Sequence, residues 1–293
     1  METIKCYRFV KDDLTSENGK MTWKIGEWNK VNGKIACCSN GLHAALTPRD
    51  SIRNVYGQKW FISEARGELV KQDNKFAASE MRIVQEIPKI ILQRFSIWCA
   101  KECLKYYEKK YQEDVRISDF IQATEDYLDG KIKEDELIEK RGVVNTIAAV
   151  VSGGAASRAV AAAISASFTT TADNVAAWTN ATAAATYAAH TAAVAYDAAL
   201  ASVDVLDSVR NVETTATAVL FADTAATYAR TASSAGAIAH AAAVAAARNV
   251  APVDTASDAY YSTFAAYTTI VADSYYVFQN EKLLEMIDQY FSE

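Results

Sequence analysis

The stretch from Val143 to Val277 constrains the chain more than any other. It is a run of alanine interspersed with Thr, Ser, Val and Tyr, with a single proline, Pro252, and glycine only at Gly153, Gly154 and Gly236. Alanine loses no side-chain entropy on becoming helical, and its small side chain lets two helix backbones approach closely. The stretch therefore reads as several tightly packed helices rather than a low-complexity tail. Breaks fall at Gly153-Gly154, Thr169 to Asp173, Asp207 to Asn211 and Asn249 to Asp254, where Asn211 and Asp254 offer caps and Pro252 cannot lie inside a helix. That spacing predicts helices of roughly 25 to 35 residues. Ala184 to Ala192 is similar to Ala225 to Ala232 after a shift of 41 residues. A helical-hairpin repeat produces such a recurrence, and so does any Ala/Thr-rich sequence. The last helix, expected from about Thr255 to Phe291, regains large side chains and would seal the end of the bundle.

Residues 1–88 have a different texture. Ile4 to Val10, Lys34 to Cys38, Lys59 to Ala65 and Met81 to Ile87 carry β-branched and aromatic residues. Between them lie turn signals at Asn18-Gly19, Asn32-Gly33, Asn40-Gly41 and Tyr56-Gly57. A short helix is expected after Thr47, which can cap it, with Pro48 in the first helical position. Pro88 closes this part. From Lys89 to Lys140 apolar residues recur at helical spacing. One helix is expected over about Ile90 to Gln112, a second from near Ser118 to a stop at Gly130, and a third from about Glu134. The expected architecture is mainly α: a small α+β domain over residues 1–88, then an Ala-rich multi-helix bundle or short helical solenoid over 89–293.

Composition narrows the function. The net charge is −6, and no basic cluster of the kind nucleic-acid binders use is present. The first residues lack a secretory apolar core, and charged or polar residues interrupt the Ala-rich part before a membrane span accumulates. The expected protein is soluble and cytoplasmic, with no nucleic-acid or membrane partner. Its five cysteines, Cys6, Cys37, Cys38, Cys99 and Cys103, are odd in number and bunched, which fits reduced thiols. Cys99 and Cys103 stack on one helix face beside Phe95, Trp98 and Leu104, as part of an apolar stripe. No metal or cofactor motif appears, and none is expected.

Of the three histidines, His190 and His240 lie in Ala-rich helices without a carboxylate or cysteine at ligand spacing. His43 sits on the tight turn Cys37-Cys38-Ser39-Asn40-Gly41-Leu42-His43, where it either touches a ligand or ties the turn to its strand. The threonines of the Ala-rich part keep no constant eleven-residue interval, which argues against an ice-binding face. The aromatic cluster Tyr260, Tyr261, Phe264, Tyr267, Tyr275 and Tyr276 either fills the core of one chain or packs against a second copy, giving a homo-oligomer or a self-assembling structural protein.

Several motifs carry resemblances. Trp98-Cys99-Ala100, Cys103-Leu104, Arg116-Ile117-Ser118-Asp119-Phe120-Ile121, Tyr127-Leu128-Asp129-Gly130-Lys131-Ile132 and Gln279-Asn280-Glu281-Lys282-Leu283-Leu284, set around Ala-rich helices, resemble the immunity proteins found near bacterial polymorphic-toxin loci. The resemblance covers about residues 90 to 293. It implies an all-helical fold that binds a protein partner and has no catalytic role. Cys38, Gly41-Leu42-His43-Ala44, Pro48, Gly67 and the segment Lys75 to Ile83 resemble a small domain frequent in phage and prophage proteins. That implies host–phage or toxin conflict, so the partner would be a toxin or a defence-system component. A remoter similarity is to ADP-ribosyltransferase-like folds. It implies that Arg8, His43 and a late glutamate, Glu80 or Glu86, would serve a nicotinamide dinucleotide, and that alanine at Arg8, His43 or Glu80 would abolish activity.

Overall fold

The computed structural model describes residues 2–16, 21–53, 57–151, 154–171, 185, 189 and 275–292. About half of these are helical and about a quarter are strand, which overturns the mainly α expectation. The alanine-rich composition dominated that reading, whereas the N-terminal part is an antiparallel sheet of five strands with one short helix.

The strands are β1 (Ile4–Val10), β2 (Asn29–Lys30), β3 (Leu42–Ala44), β4 (Lys59–Gln72) and β5 (Lys75–Ile87), with α1 (Pro48–Arg53) between β3 and β4. Their order is β1-β4-β5-β2, and β3 also pairs with β5. β4 and β5 form one long hairpin, from Trp60 opposite Ile87 to Gln72 opposite Lys75. Its turn holds Asp73 at φ 45°, a left-handed conformation that the short polar side chain of aspartate tolerates. A register irregularity between Arg66 and Leu69 places Gly67 at φ +83°, where a Cβ would collide with the Ser79 hydroxyl. That hydroxyl instead accepts the Glu68 N–H at 2.9 Å. Lys34 to Cys38 is no strand: its backbone makes a turn bridged from Ala36 to Asn40.

β1 pairs with β4 along one edge. On its other edge Tyr7 and Ala45 exchange both backbone hydrogen bonds, at 2.8 and 2.9 Å. Because β3 pairs with β5 and β5 with β4, this single bridge curls the sheet back on itself and leaves less strand edge unpaired. Cys6, Val10, Trp23, Leu42, Phe61, Phe76, Met81 and Ile83 form the core on one face of the sheet. On the other face Phe9 stacks on Trp60 with centroids 5.7 Å apart, and α1 packs nearby through the Trp60 indole N–H, which donates to Ser51 Oγ at 2.9 Å. α1 begins as its sequence predicts. Thr47 Oγ1 accepts the Asp50 N–H at 3.1 Å and donates to the Asp50 carboxylate at 2.9 Å.

Five further helices are α2 (Lys89–Lys110), α3 (Arg116–Leu128), α4 (Glu134–Val150), α5 (Gly154–Thr171) and α6, over 275–292. Among them α4 is 17 residues long, shorter than the expected span, and α5 is described over Gly154–Thr171. α4 ends at Val150 and α5 starts at Gly154, a residue of the expected break. The chain divides into two compact units. The first is Met1–Ser96, Phe168–Ala183 and Gln279–Glu293, and the second is Ile97–Ser167 and Ala184–Phe278. In the first, Arg49 of α1 donates through Nε to Gln279 Oε1 at 2.8 Å. In the second, Arg141 of α4 donates through Nε to Ser167 Oγ at 2.9 Å. No described helix is long and apolar enough to cross a membrane.

α3 shows how the second unit fixes its helix ends. At its C-terminus the Gly130 N–H reaches Tyr127 O and the Lys131 N–H reaches Asp126 O, with Gly130 at φ +73°, a Schellman closure that glycine adopts without strain. At its N-terminus Asp114, rather than the expected Ser118, accepts the Arg116 N–H at 3.1 Å. Asp114 also accepts the Tyr107 hydroxyl at 2.6 Å and two guanidinium N–H groups of Arg116. The Arg116 hydrogen bonds, with help from Tyr107, hold its carboxyl far below the usual carboxylate range. A carboxylate depressed on folding contributes stability that is complete above its unfolded pKa of about 4 and is lost as pH falls toward the folded value. Asp114→Asn should therefore lower stability at pH 7 and flatten its decline between about pH 4 and pH 2, read from urea unfolding midpoints across that range. A parallel downward shift at every pH would contradict this assignment.

Candidate functional site

A cavity of about 490 Å³ runs along the seam between β1 and β3, the two strands joined through the Tyr7–Ala45 bridge. Arg8 and His43 both line it, as do Lys75 and Ser16, and no carboxylate is among the described residues of its wall. β1 places Arg8 between Cys6 and Val10, on the core face. There its guanidinium lies 3.9 Å from the Trp23 ring centre and one Nη is 3.4 Å from Met81 Sδ. Its Nε is buried with no hydrogen-bond partner. Burial disfavours the charged form and brings Arg8 down to about 10, still charged at neutral pH. Burial also pushes the neighbouring Cys6 thiol up to about 12, so Cys6 supplies no counter-charge.

His43 stands between Leu42 and Ala44, two residues of low exposure in the core cluster. Strand alternation turns its ring the other way, toward the Ala36–Asn40 turn. Its Nε2 accepts the Cys38 N–H at 2.9 Å, which requires that nitrogen to be unprotonated and places the proton of the neutral ring on Nδ1. Burial, then the charges of Arg8 and Lys75, lower its pKa further. Cys38 itself is at φ 64°, so His43 holds a strained turn and stays neutral at pH 7.

Glu80 is elsewhere. It pairs with Arg66 across the hairpin, and its carboxylate binds Arg66 Nε at 2.8 Å and Lys30 Nζ at 3.1 Å. These hydrogen bonds lower its pKa. Met81, the next residue, meets Arg8 in the core, so strand alternation turns Glu80 to the opposite face of the sheet. On that face Trp28 lies against Arg66 and Arg82, with ring centre to guanidinium distances of 3.9 and 4.9 Å. Glu86 is exposed, opposite Phe61. The sheet thus brings Arg8 and His43 to one cavity and leaves both glutamates out of it. Sequence reasoning missed Lys75 and Ser16, which no motif marks. They reach the cavity from the start of β5 and the loop after β1.

Of the aromatic cluster, Tyr260, Tyr261, Phe264 and Tyr267 lie outside the described residues, as do His190 and His240. Tyr275 and Tyr276 are the first described residues of α6 and are half-buried. The Tyr275 ring packs 5.8 Å from that of Phe278, which in turn packs 5.1 Å from Trp98. Burial raises the Tyr275 hydroxyl well above its ordinary value. Cys99 and Cys103 are both buried and not joined in a disulfide, and burial pushes the Cys103 thiol up to about 12, so Cys103 is an inert part of the α2 stripe.

Two family models match this chain. Residues 4–92 match DUF7666, a domain of unknown function. Residues 82–213 match a family described as Imm-5 like putative immunity protein. The two matches overlap across the end of β5 and the start of α2. No curated protein and no solved structure matches the chain. The similarity over 82–213 points to an immunity-type binding function, with a protein toxin as the class of partner.

Proposed function

We propose that this chain is a cytoplasmic, non-catalytic immunity-type protein whose helical part occludes a bacterial toxin. The observation that carries the reading is the match of residues 82–213 to the immunity family. The placement of the glutamates supports it, because Glu80 lies on the face of the sheet opposite Arg8 and Glu86, though on the same face as Arg8, is exposed and outside the cavity lining. Occlusion needs no reactive group. It needs a rigid face that buries about 1,200 to 2,000 Å² against the partner.

α4 offers such a face. Leu137, Arg141, Val144 and Ile147 are turned inward, while Ile138 and Val143 are 48% and 46% exposed. Glu134, Asp135, Glu136 and Glu139 on the same helix are exposed as well. Ile138 and Val143, about 140° apart around the helix, flank an exposed side that carries the carboxylates, and such a side complements a basic partner surface with apolar margins, where charge steers the encounter and burial holds it.

The test is co-expression of this chain with each candidate toxin encoded by a gene neighbouring its own, scored as cell survival and as toxin retained on the tagged protein. Ile138→Arg combined with Val143→Arg should lower affinity at least about a hundredfold, since it buries two unpaired charges of the wrong sign. Glu80→Gln should protect as well as the unaltered chain. Loss of protection with Glu80→Gln, in a protein that still folds, would favour the transferase reading.

A further inference from the structure

We propose that the seam cavity between β1 and β3 is a binding site for a small organic anion with an apolar body, held by Arg8. The argument begins with an uncompensated charge. Arg8 is embedded against Trp23 and Met81, and its interactions are with a ring face and a thioether. Neither neutralises it. The ring contact stabilises a cation by about 1 to 2 kcal/mol when desolvated, less than the several kcal/mol that removing an ion from water costs. Folded proteins normally meet that cost with a carboxylate, as this chain does for the partly buried Arg66 and Arg82. Arg8 has none among the described residues, and no acid is among the described residues that line its cavity.

The remaining wall fits the complement. Ser16 Oγ accepts the Trp23 indole N–H at 3.1 Å. An indole only donates, so the serine keeps its own hydroxyl proton for an acceptor in the cavity. Lys75 adds a second positive charge to the wall. His43 is neutral and already accepts the Cys38 N–H, so it does not compete for the anion. Met21, Val31 and Leu42 supply apolar surface, which leaves room for more than an inorganic ion. The volume falls within the range of small-molecule sites. Carboxylates and phosphate esters share the required chemistry, a planar or tetrahedral oxyanion that accepts charge-assisted hydrogen bonds from a guanidinium.

The experiment titrates the full chain by calorimetry with benzoate, phenyl phosphate and benzamide. Benzoate and benzamide have nearly the same shape and differ in charge, so their comparison on the unaltered protein isolates the cation. One of the two anions should bind with one-to-one stoichiometry and at least about tenfold tighter than benzamide. Whichever of benzoate and phenyl phosphate binds better distinguishes a carboxylate from a phosphate ligand. Arg8→Gln should abolish that preference while the far-ultraviolet circular dichroism is unchanged. If Arg8→Gln does not fold, the benzamide comparison still decides. Equal binding of benzamide, no saturable heat with either anion up to about 10 mM, or undiminished anion binding by folded Arg8→Gln would each overturn the proposal.

Discussion

Replacing Gly57 with alanine should destabilise the sheet by about 3 kcal/mol, the upper end of what a forced steric misfit in a packed interior costs. A Cβ at this position would sit on the carbonyl carbon and oxygen of Val10 and 2.6 Å from the amide nitrogen of Lys11. These are backbone atoms, so no side-chain rotation relieves the contact. The same carbonyl accepts the Gln58 N–H at 2.8 Å, and Val10 pairs with Lys59 at the start of β4. Moving it therefore disturbs the junction from which the long hairpin starts. The comparison is Gly142→Ala, in α4, where an added methyl meets nothing within 4 Å. There alanine should be neutral or stabilise by up to about 1 kcal/mol through helix propensity. Urea unfolding of both variants checks the contrast, and an unchanged midpoint for Gly57→Ala would show that the strand end yields.

Trp60→Ala should cost about 3 to 5 kcal/mol, the range for truncating a large buried aromatic side chain. Trp60 is 2% exposed, lies flat against Phe9 at an interplanar angle of 8°, and is tilted against Tyr7 at 6.4 Å. Its indole N–H also enters a short buried chain: it donates to Ser51 Oγ, which donates to Pro48 O at 2.7 Å. Trp60→Phe keeps a stacked ring but removes three buried ring atoms, the donor nitrogen among them, so its cost should be intermediate, about 2 kcal/mol. Ser51 keeps its own bond to Pro48. The two substitutions thus separate the stacked ring from the hydrogen bond and the ring atoms lost with it. Equal losses for Trp60→Phe and Trp60→Ala would mean that the link to α1, rather than the stack, holds this face together.

The parts of the fold legible in the sequence are those in which one local signal decides. β1 runs Ile4–Val10 because an apolar, β-branched and aromatic run coincides with the whole strand. α1 starts where Thr47 and Pro48 say it should, and α3 stops at Gly130. The sheet was under-read for a physical reason. Lys59 to Ala65 and Met81 to Ile87 are only parts of β4 and β5. Arg66–Gln72 is largely polar and exposed, Lys75–Ser79 buries Phe76 but otherwise carries alanines, lysine and serine rather than β-branched residues, and the two close through Asp73-Asn74 rather than a glycine pair. Their pairing to each other makes them strands, and pairing is not a local property. Lys34 to Cys38 shows the converse, since β-prone residues without a partner strand form a turn.

The candidate site divides the same way. Arg8 enters only through the ADP-ribosyltransferase resemblance and His43 through both that resemblance and its tight turn, and both reach the seam cavity. Glu80 was chosen by its position late in the domain. Pairing register puts it on the far face with Arg66 and Lys30, and a register irregularity one strand away is invisible without the structure. Lys75, at the start of β5, and Ser16, in the loop after β1, reach the cavity through chain placement that composition does not encode.

The most direct test of the account is the mass and activity of a mixture of this chain with each candidate toxin encoded by a gene neighbouring its own. Light scattering should give one complex with the summed mass of the binding partners, and toxin activity should fall in proportion to added protein and vanish at stoichiometric equivalence. Silencing of the toxin by a small fraction of an equivalent, with no complex formed, would contradict occlusion and would mean that the chain acts as a catalyst.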